Sequence, residues 1–179
     1  PGSIIRIHLD GKIPKDNPKF KDKKNWLPEL YQIGVRNPQG MALSPYDNKI
    51  YITNHGPDGG DWFGEVKYGE NYGWKILGWG GTNYIGTKIG PKWMPGYTKA
   101  IKYWVPSIAV SSMVIYKGTE FKEWNGDALI TSLRDQSLRK IKFKGNKFLH
   151  EKIIFKDNIG RLRDIEIQES TGKIFLLTD

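Results

Sequence analysis

Three times along the chain, a short apolar run follows a turn led by Asn or Gly and closes on threonine. The copies are Asn48-Lys-Ile-Tyr-Ile-Thr53, Gly126-Asp-Ala-Leu-Ile-Thr131 and Gly172-Lys-Ile-Phe-Leu-Leu-Thr178. Runs of this kind are strands, because β-branched and aromatic side chains pack well on a pleated surface. Helix signal is nearly missing, since Gly or Pro interrupts every extended apolar pattern at helical spacing. Strands are predicted over 4–9, 41–43, 49–53, 113–116, 128–131, 138–143, 148–155, 164–167 and 173–177. Tight hairpin turns are predicted at 144–147 and 170–172, and a hairpin loop at 44–48. The 21 glycines and 10 prolines suit a turn-rich all-β chain.

The second and third copies lie roughly 45 residues apart, the size of one β-propeller blade. The first and second lie roughly 79 apart, and the excess falls on 69–106, a Gly-, Trp-, Tyr- and Pro-rich stretch that reads as an insertion. At roughly 40–50 residues per four-stranded blade, the chain holds three to four blades, an all-β partial propeller. It opens on Pro1-Gly2-Ser3 and a strand, and stops inside or just after another at Asp179. Such ends read as those of a piece cut from something longer.

Composition narrows the function classes. With no cysteine there is no disulfide framework, thiolate metal site or cysteine nucleophile. The only histidines, His8, His55 and His150, are too far apart to read as a zinc site, and no G-x-S-x-G elbow occurs. No apolar run reaches the ~18 residues of a membrane span. Net charge is +9, and lysine supplies 22 of the 28 basic residues. Lys12, Lys15, Lys19, Lys21, Lys23 and Lys24, interleaved with Asp10, Asp16 and Asp22, read as a wet loop. Lys140, Lys142 and Lys144 alternate like the exposed face of one strand. The excess charge is either a solvated surface or an attraction for an anion.

Arginine is scarcer and more pointed. Arg36, Arg134, Arg161 and Arg163 stand in short irregular stretches beside Gly, Pro or Asp. Arg161 and Arg163, two apart, share one face if extended, which suits a ligand with several carboxylates or phosphates. The alternative is an exposed pair bonded to Asp135 or Asp164. After the first threonine-ended strand comes Asn54-His-Gly-Pro-Asp-Gly-Gly-Asp61. Its glycines permit close approach to a ligand, its Gly-Pro carbonyls suit a hard cation, and His55 suits proton transfer. It reads equally as a turn that only reverses the chain. The aromatics of 70–104 could stack a sugar, a base or a planar cofactor, or wedge between blades.

As an ordered set, these motifs resemble the soluble pyrroloquinoline quinone (PQQ)-dependent aldose and glucose/sorbosone dehydrogenases. The resemblance is carried by Arg36-Asn-Pro-Gln-Gly40, His55-Gly-Pro-x-Gly-Gly-Asp61, Asn71-Tyr-Gly-Trp74, Trp104-Val-Pro-Ser107, Gly160-Arg-x-Arg-Asp164 and Leu177-Thr-Asp179. It implies a six-bladed propeller, with residues 1–179 its C-terminal portion. It implies that Arg36, Asn37, His55, Arg134, Arg161 and Arg163 contact PQQ. Gly56 and Pro57 would offer carbonyls to Ca²⁺, and Asp61 would support the reacting centre. An aldose would be the substrate, an external acceptor would take the electrons, and the protein would be periplasmic or secreted. No nucleic acid partner or membrane span is implied.

Two departures accompany the resemblance. The family's catalytic base is a histidine of the N-terminal half, and none of the three histidines here stands in its motif, so the chain alone is expected to be inactive. The glutamate that many members place after the aspartate equivalent to Asp61 is Trp62 here, although its partner Tyr72 is present. A second calcium at Tyr72 is therefore left open. Two further classes also stay open: a non-catalytic binding propeller of the same lineage, and a carbohydrate- or nucleic-acid-binding β-module.

Overall fold

The computed structural model describes residues 2–20 and 26–179. Lys21, Asp22, Lys23 and Lys24 of the predicted wet loop lie outside the described residues, while Lys12, Lys15 and Lys19 are exposed. Among the described residues twelve strands form four antiparallel sheets. β1 (Ser3–Ile5) pairs with β2 (Leu30–Ile33). β3 (Pro38–Leu43), β4 (Ile50–Asn54), β5 (Asp61–Glu65) and β6 (Lys102–Trp104) follow one another in a four-stranded sheet. β7 (Val110–Ile115), β8 (Ala128–Ser132), β9 (Ser137–Lys144) and β10 (Lys147–Lys156) form the second. β11 (Leu162–Gln168) and β12 (Lys173–Thr178) close the described chain as a two-stranded sheet. The only helix among the described residues is a 3₁₀ turn at Lys122–Trp124. The architecture is a partial propeller: two whole blades flanked by two half-blades.

The threonine-ended echo marks the second strand of each blade, β4, β8 and β12. The first strands, β3, β7 and β11, lie against one another from blade to blade. Thr53 ties its blade to the next. Its hydroxyl donates to the Ser111 carbonyl of the next blade at 2.8 Å and accepts from the Gly40 amide at 2.9 Å. Ser111 Oγ in turn donates to the Leu162 carbonyl of the following sheet at 2.6 Å. Gly40 stands where sheets come closest, since a Cβ there would lie 2.8 Å from the Met113 amide nitrogen.

Hydrophobic burial runs between blades as well as within them. Tyr51, Phe63, Trp104, Val110, Met113 and Ile130 knit the two whole blades together. Ile4, Val35, Ile52, Trp62, Tyr72 and Trp79 pack the first half-blade and the 66–101 segment onto the first whole blade. Tyr116, Leu129, Leu138, Leu162 and Ile165 do the same at the other end. Burying a side chain of this size is worth about 1.5–3 kcal/mol, so these seams hold the blades in a fixed relation.

Several sequence expectations need correction. The strand expected over 4–9 stops at Ile5, because the chain then turns back on itself, with the His8 amide donating to the Lys12 carbonyl at 2.8 Å. β2, β5 and β6 were not foreseen. β5 reads as polar because it carries Asp61 and Glu65, yet all five of its residues are buried. The stretch expected as an insertion over 69–106 contains β6, the outer strand of the first whole blade. Within it Tyr72 and Trp79 are core, whereas Tyr84 and Trp93 face solvent. Lys140 is not on a free face: it pairs with Asp127 at 3.0 Å and lies over Trp124.

Candidate functional site

Every blade here runs its first strand away from one end and its second back to it. The segments entering β3, β7 and β11, and those leaving β4, β8 and β12, therefore gather at that one end. The candidate residues other than Tyr72 lie on these segments or at the strand ends beside them, Asp61 opening β5 and Arg163 second in β11. The first-strand pairs each carry a register shift there, between Pro38 and Met41, Val110 and Met113, and Leu162 and Asp164. Bulges re-aim side chains at sheet ends, and Arg163 sits in the third of them.

Asn54, at the end of β4, organises the entry to β3. Its Oδ1 accepts from the Arg36 and Asn37 amides at 2.9 and 2.8 Å. The Arg36 guanidinium lies 5.4 Å from the Trp74 ring. Its Nη1 donates to the carbonyls of His55 (3.3 Å) and Gly56 (3.1 Å), and its Nη2 to the Tyr84 hydroxyl (3.3 Å). Asn37 Oδ1 accepts from Gln39. Gly56 is needed for the tight loop that follows, since a Cβ would fall 2.0 Å from the Gly59 carbonyl oxygen. At the loop tip Asp58 pairs with Arg134 at 3.1 Å, both side chains half exposed. His55 Nε2 is buried without a hydrogen-bond partner.

Asp61, expected to support the reacting centre, is a buried staple. It is 0 % exposed, and Oδ1 accepts from the Gly56 amide at 2.8 Å. Oδ2 accepts from Ser107 Oγ and from the Ile108 and Ala109 amides at 2.7, 3.0 and 2.7 Å. These contacts hold Ala109 in a left-handed conformation at φ 53°. With four donors satisfied, this carboxylate joins the His55 loop to the entry of β7.

Arg161 and Arg163 converge on one carboxylate oxygen, Asp179 Oδ2, at 3.3 and 3.1 Å, with both guanidiniums about half exposed. The alternative pairing with Asp135 or Asp164 does not form. Asp135 binds Arg139, and Asp164 accepts from the Ile165 amide. The four candidate arginines thus stand at one end of the blades in two groups. Arg36 and Arg134 meet through the 55–58 loop, and Arg161 and Arg163 meet on Asp179. Among the described residues no hydrogen bond or ion pair joins the groups.

Fit to the two implied cofactors differs. Ten guanidinium N–H donors on Arg161 and Arg163 face a single carboxylate oxygen, so donors and positive charge are in excess there. That excess, with half-exposed Arg134, fits a polycarboxylate such as PQQ. For Ca²⁺ the groups expected from the sequence are the Gly56 and Pro57 carbonyls: the Gly56 carbonyl accepts from Arg36 and keeps a second lone pair, and no cluster of three acidic or histidine side chains stands among the described residues to add charge. At Tyr72, where a second calcium was left open, the side chain is engaged in packing and a hydrogen bond. Its hydroxyl donates to the Glu65 carbonyl at 2.7 Å, its ring stacks on Trp62 at 4.0 Å, and burial pushes its ionisation far up. Glu65 is turned to Lys49.

A network missed in the sequence crosses the seam between the whole blades. Glu151 accepts from Trp104 Nε1 at 2.8 Å, Lys102 Nζ at 2.9 Å and Arg139 Nη1 at 2.7 Å. Arg139 also holds Asp135, which accepts from Ser132 and Ser137. Burial alone would raise the Glu151 and Asp135 carboxyls. The hydrogen bonds outweigh it and hold both below their ordinary values. The one signal was Arg139 itself, an arginine between Leu138 and Ile141 in a strand. Trp74 stood in the Asn71-Tyr-Gly-Trp74 motif and Asn54 and Tyr84 in stretches already singled out, but nothing local tied any of them to Arg36.

The glucose/sorbosone dehydrogenase family description matches residues 1–179. The chain is 35% identical over 181 residues to aldose sugar dehydrogenase YliI of Escherichia coli K12, covering 99% of this chain and 48% of that protein. It is 31% identical over 137 residues to quinoprotein glucose dehydrogenase B of Acinetobacter calcoaceticus, covering 74% of this chain and 26% of that one. The solved apo structure of the soluble E. coli aldose sugar dehydrogenase superposes with a TM-score of 0.90 at 35% identity, over 99% of this chain and 51% of that structure. The chain spans about half the length or less of the curated relatives it matches. Matched from its first residue to its last, and folded into the blades of its relatives, this chain belongs to the glucose/sorbosone dehydrogenase family.

Proposed function

We propose that the chain supplies the cofactor-holding part of a PQQ-dependent aldose dehydrogenase and leaves the catalytic base to a complementary N-terminal half. One observation carries the reading: arginine recurs at the same end of successive blades, before β3, after β8, and before and within the bulge of β11. When bound, PQQ accepts the hydride from the anomeric carbon of an aldose. Arg161 and Arg163 bind and orient its carboxylates in exchange for Asp179, and Arg134 adds a third cation once released from Asp58. Arg36 and Asn37 flank it, and His55 lines the loop beside it. Asp61 keeps that loop and the β7 entry in register.

The complementary half would close on the free edges of β1 and β12, completing both half-blades. The electrons would leave to an external acceptor, and a periplasmic or secreted location accords with the exported members the family resemblance implies. Among the described residues no helix is long and apolar enough to cross a membrane.

The test is a PQQ titration followed by tryptophan fluorescence. Saturable quenching, weakened in Arg161→Ala and Arg163→Ala, is expected; indifference to PQQ would sink the reading. Turnover with PQQ, calcium, an aldose and a dye should be absent, and robust activity would refute the lack of a base. A second reading, a binding-only propeller of the same lineage, draws on Arg36 occupying the Gly56 carbonyl. Indifference to PQQ favours it.

A further inference from the structure

Between β6 of the first whole blade and β10 of the second lies a groove of about 710 Å³, walled on its third side by the 66–101 segment. Its lining combines aromatic faces with three lysines, a pairing that the redox reading leaves unused. Trp93 is 38% exposed, and its Nε1 donates to the Tyr97 carbonyl at 3.0 Å, so the indole is held in place with part of its surface open. Tyr103, also 38% exposed, is backed by buried Trp79 with ring centroids 6.1 Å apart. Phe148, from the second blade, closes the groove opposite.

The charge is unbalanced. Lys102 is neutralised by Glu151 at 2.9 Å, but Glu151 also serves Arg139 and Trp104 and has nothing to spare. Lys92 and Lys99 have no ion-pair partner among the described residues. Lys99 lies 5.5 Å from the Trp93 ring centre, and the Lys92 stem runs over Gly80, where the missing side chain leaves it room. Two unneutralised ammonium groups beside fixed aromatic surfaces call for an occupant with flat apolar faces and spaced negative charge.

We propose that this groove binds an acidic oligosaccharide, a sugar chain bearing carboxylates, with Trp93 and Tyr103 as stacking faces and Lys92 and Lys99 as carboxylate partners. Pyranose C–H faces stack on aromatic rings, and lysine is a point charge suited to single carboxylates spaced along a chain. Among the described residues no arginine lines the groove, so its charges are lysine points rather than the bidentate fork that clamps a carboxylate or a phosphate. Val105 lines both this groove and the cleft holding Arg134, so the two sites adjoin. The proposal stands apart from the redox reading and does not need PQQ.

The 179-residue chain is titrated calorimetrically with an oligogalacturonate, a neutral cello-oligosaccharide of equal length, and oligothymidylate, at near-physiological salt. Saturable binding of the oligogalacturonate alone is expected. Trp93→Ala, and the double change Lys92→Ala with Lys99→Ala, should each weaken it by about tenfold or more. All three residues are on the surface, so far-ultraviolet dichroism should be unchanged. The PQQ titration should also be unchanged in these variants, which separates failure here from failure of the redox reading. Absence of oligogalacturonate binding, equal binding of the neutral chain, equal or tighter binding of oligothymidylate, or variants that bind as the parent does would each overturn the proposal.

Discussion

Asp61 and Asp179 sit at the same end of the blades, and they do opposite things. Asp61 is wholly buried and receives four donors, three of them backbone amides. Asp179 is about one-third exposed and stands between two half-exposed guanidiniums that have most of their donors unused. A buried carboxylate with every donor aimed at it is a joint, because moving it strands amides in a dry interior. A carboxylate shared by two solvated arginines is easily exchanged for another anion, because surface ion pairs are worth little. The same residue type thus builds the frame in one place and, in the function proposed above, holds the place of a ligand in the other.

The comparison breaks first at Asp61. Asp61→Ala should cost about 4 kcal/mol by stranding the amides of Gly56, Ile108 and Ala109, read as a lowered urea midpoint, with Asp61→Asn recovering part of the loss. Stability unchanged by Asp61→Ala would remove the distinction between joint and site.

Next in size is Glu151→Ala, which leaves Arg139 and Lys102 uncompensated in the seam and should cost about 3 kcal/mol. The pH dependence has a definite sign. The Glu151 and Asp135 carboxyls are held below their ordinary values of 4.5 and 3.8. Their contribution is therefore complete at neutral pH and is lost as the pH falls through the lower folded-state values. Acid unfolding should be less steep in Glu151→Gln, followed by tryptophan fluorescence.

Thr53→Val removes the hydroxyl that links Gly40 to Ser111 and should cost about 1–2 kcal/mol in the same urea assay. The smallest effect on stability belongs to the arginines. Arg161→Ala should lie within about 0.5 kcal/mol of the parent while weakening PQQ about tenfold. A large loss of stability there would make Arg161 a second joint.

The strand-rich plan was legible because period-two and turn signals are local. The three copies of the threonine-ended run fall on β4, β8 and β12, and both tight hairpins stand where their Gly residues predict. β5 and β6 were hidden for a different reason. Asp61-Trp-Phe-Gly-Glu65 is buried on both faces, so it shows no alternation, and Lys102-Tyr-Trp104 is too short to show any. The arginines could be picked out by their irregular settings and motif context, but their partners could not.

What the sequence settled alone was everything carried by neighbours along the chain: strands, turns, the blade-sized repeat and the ordered motifs of the family. The tertiary structure decided which polar groups are spent. Asp61 meets Ser107 across 46 positions, Arg36 takes the Gly56 carbonyl across 20, and Arg134 reaches Asp58 across 76. A carboxylate's role depends on how many donors surround it and how dry its surroundings are. Both are set when distant segments pack, so neither is written in the local order of residues.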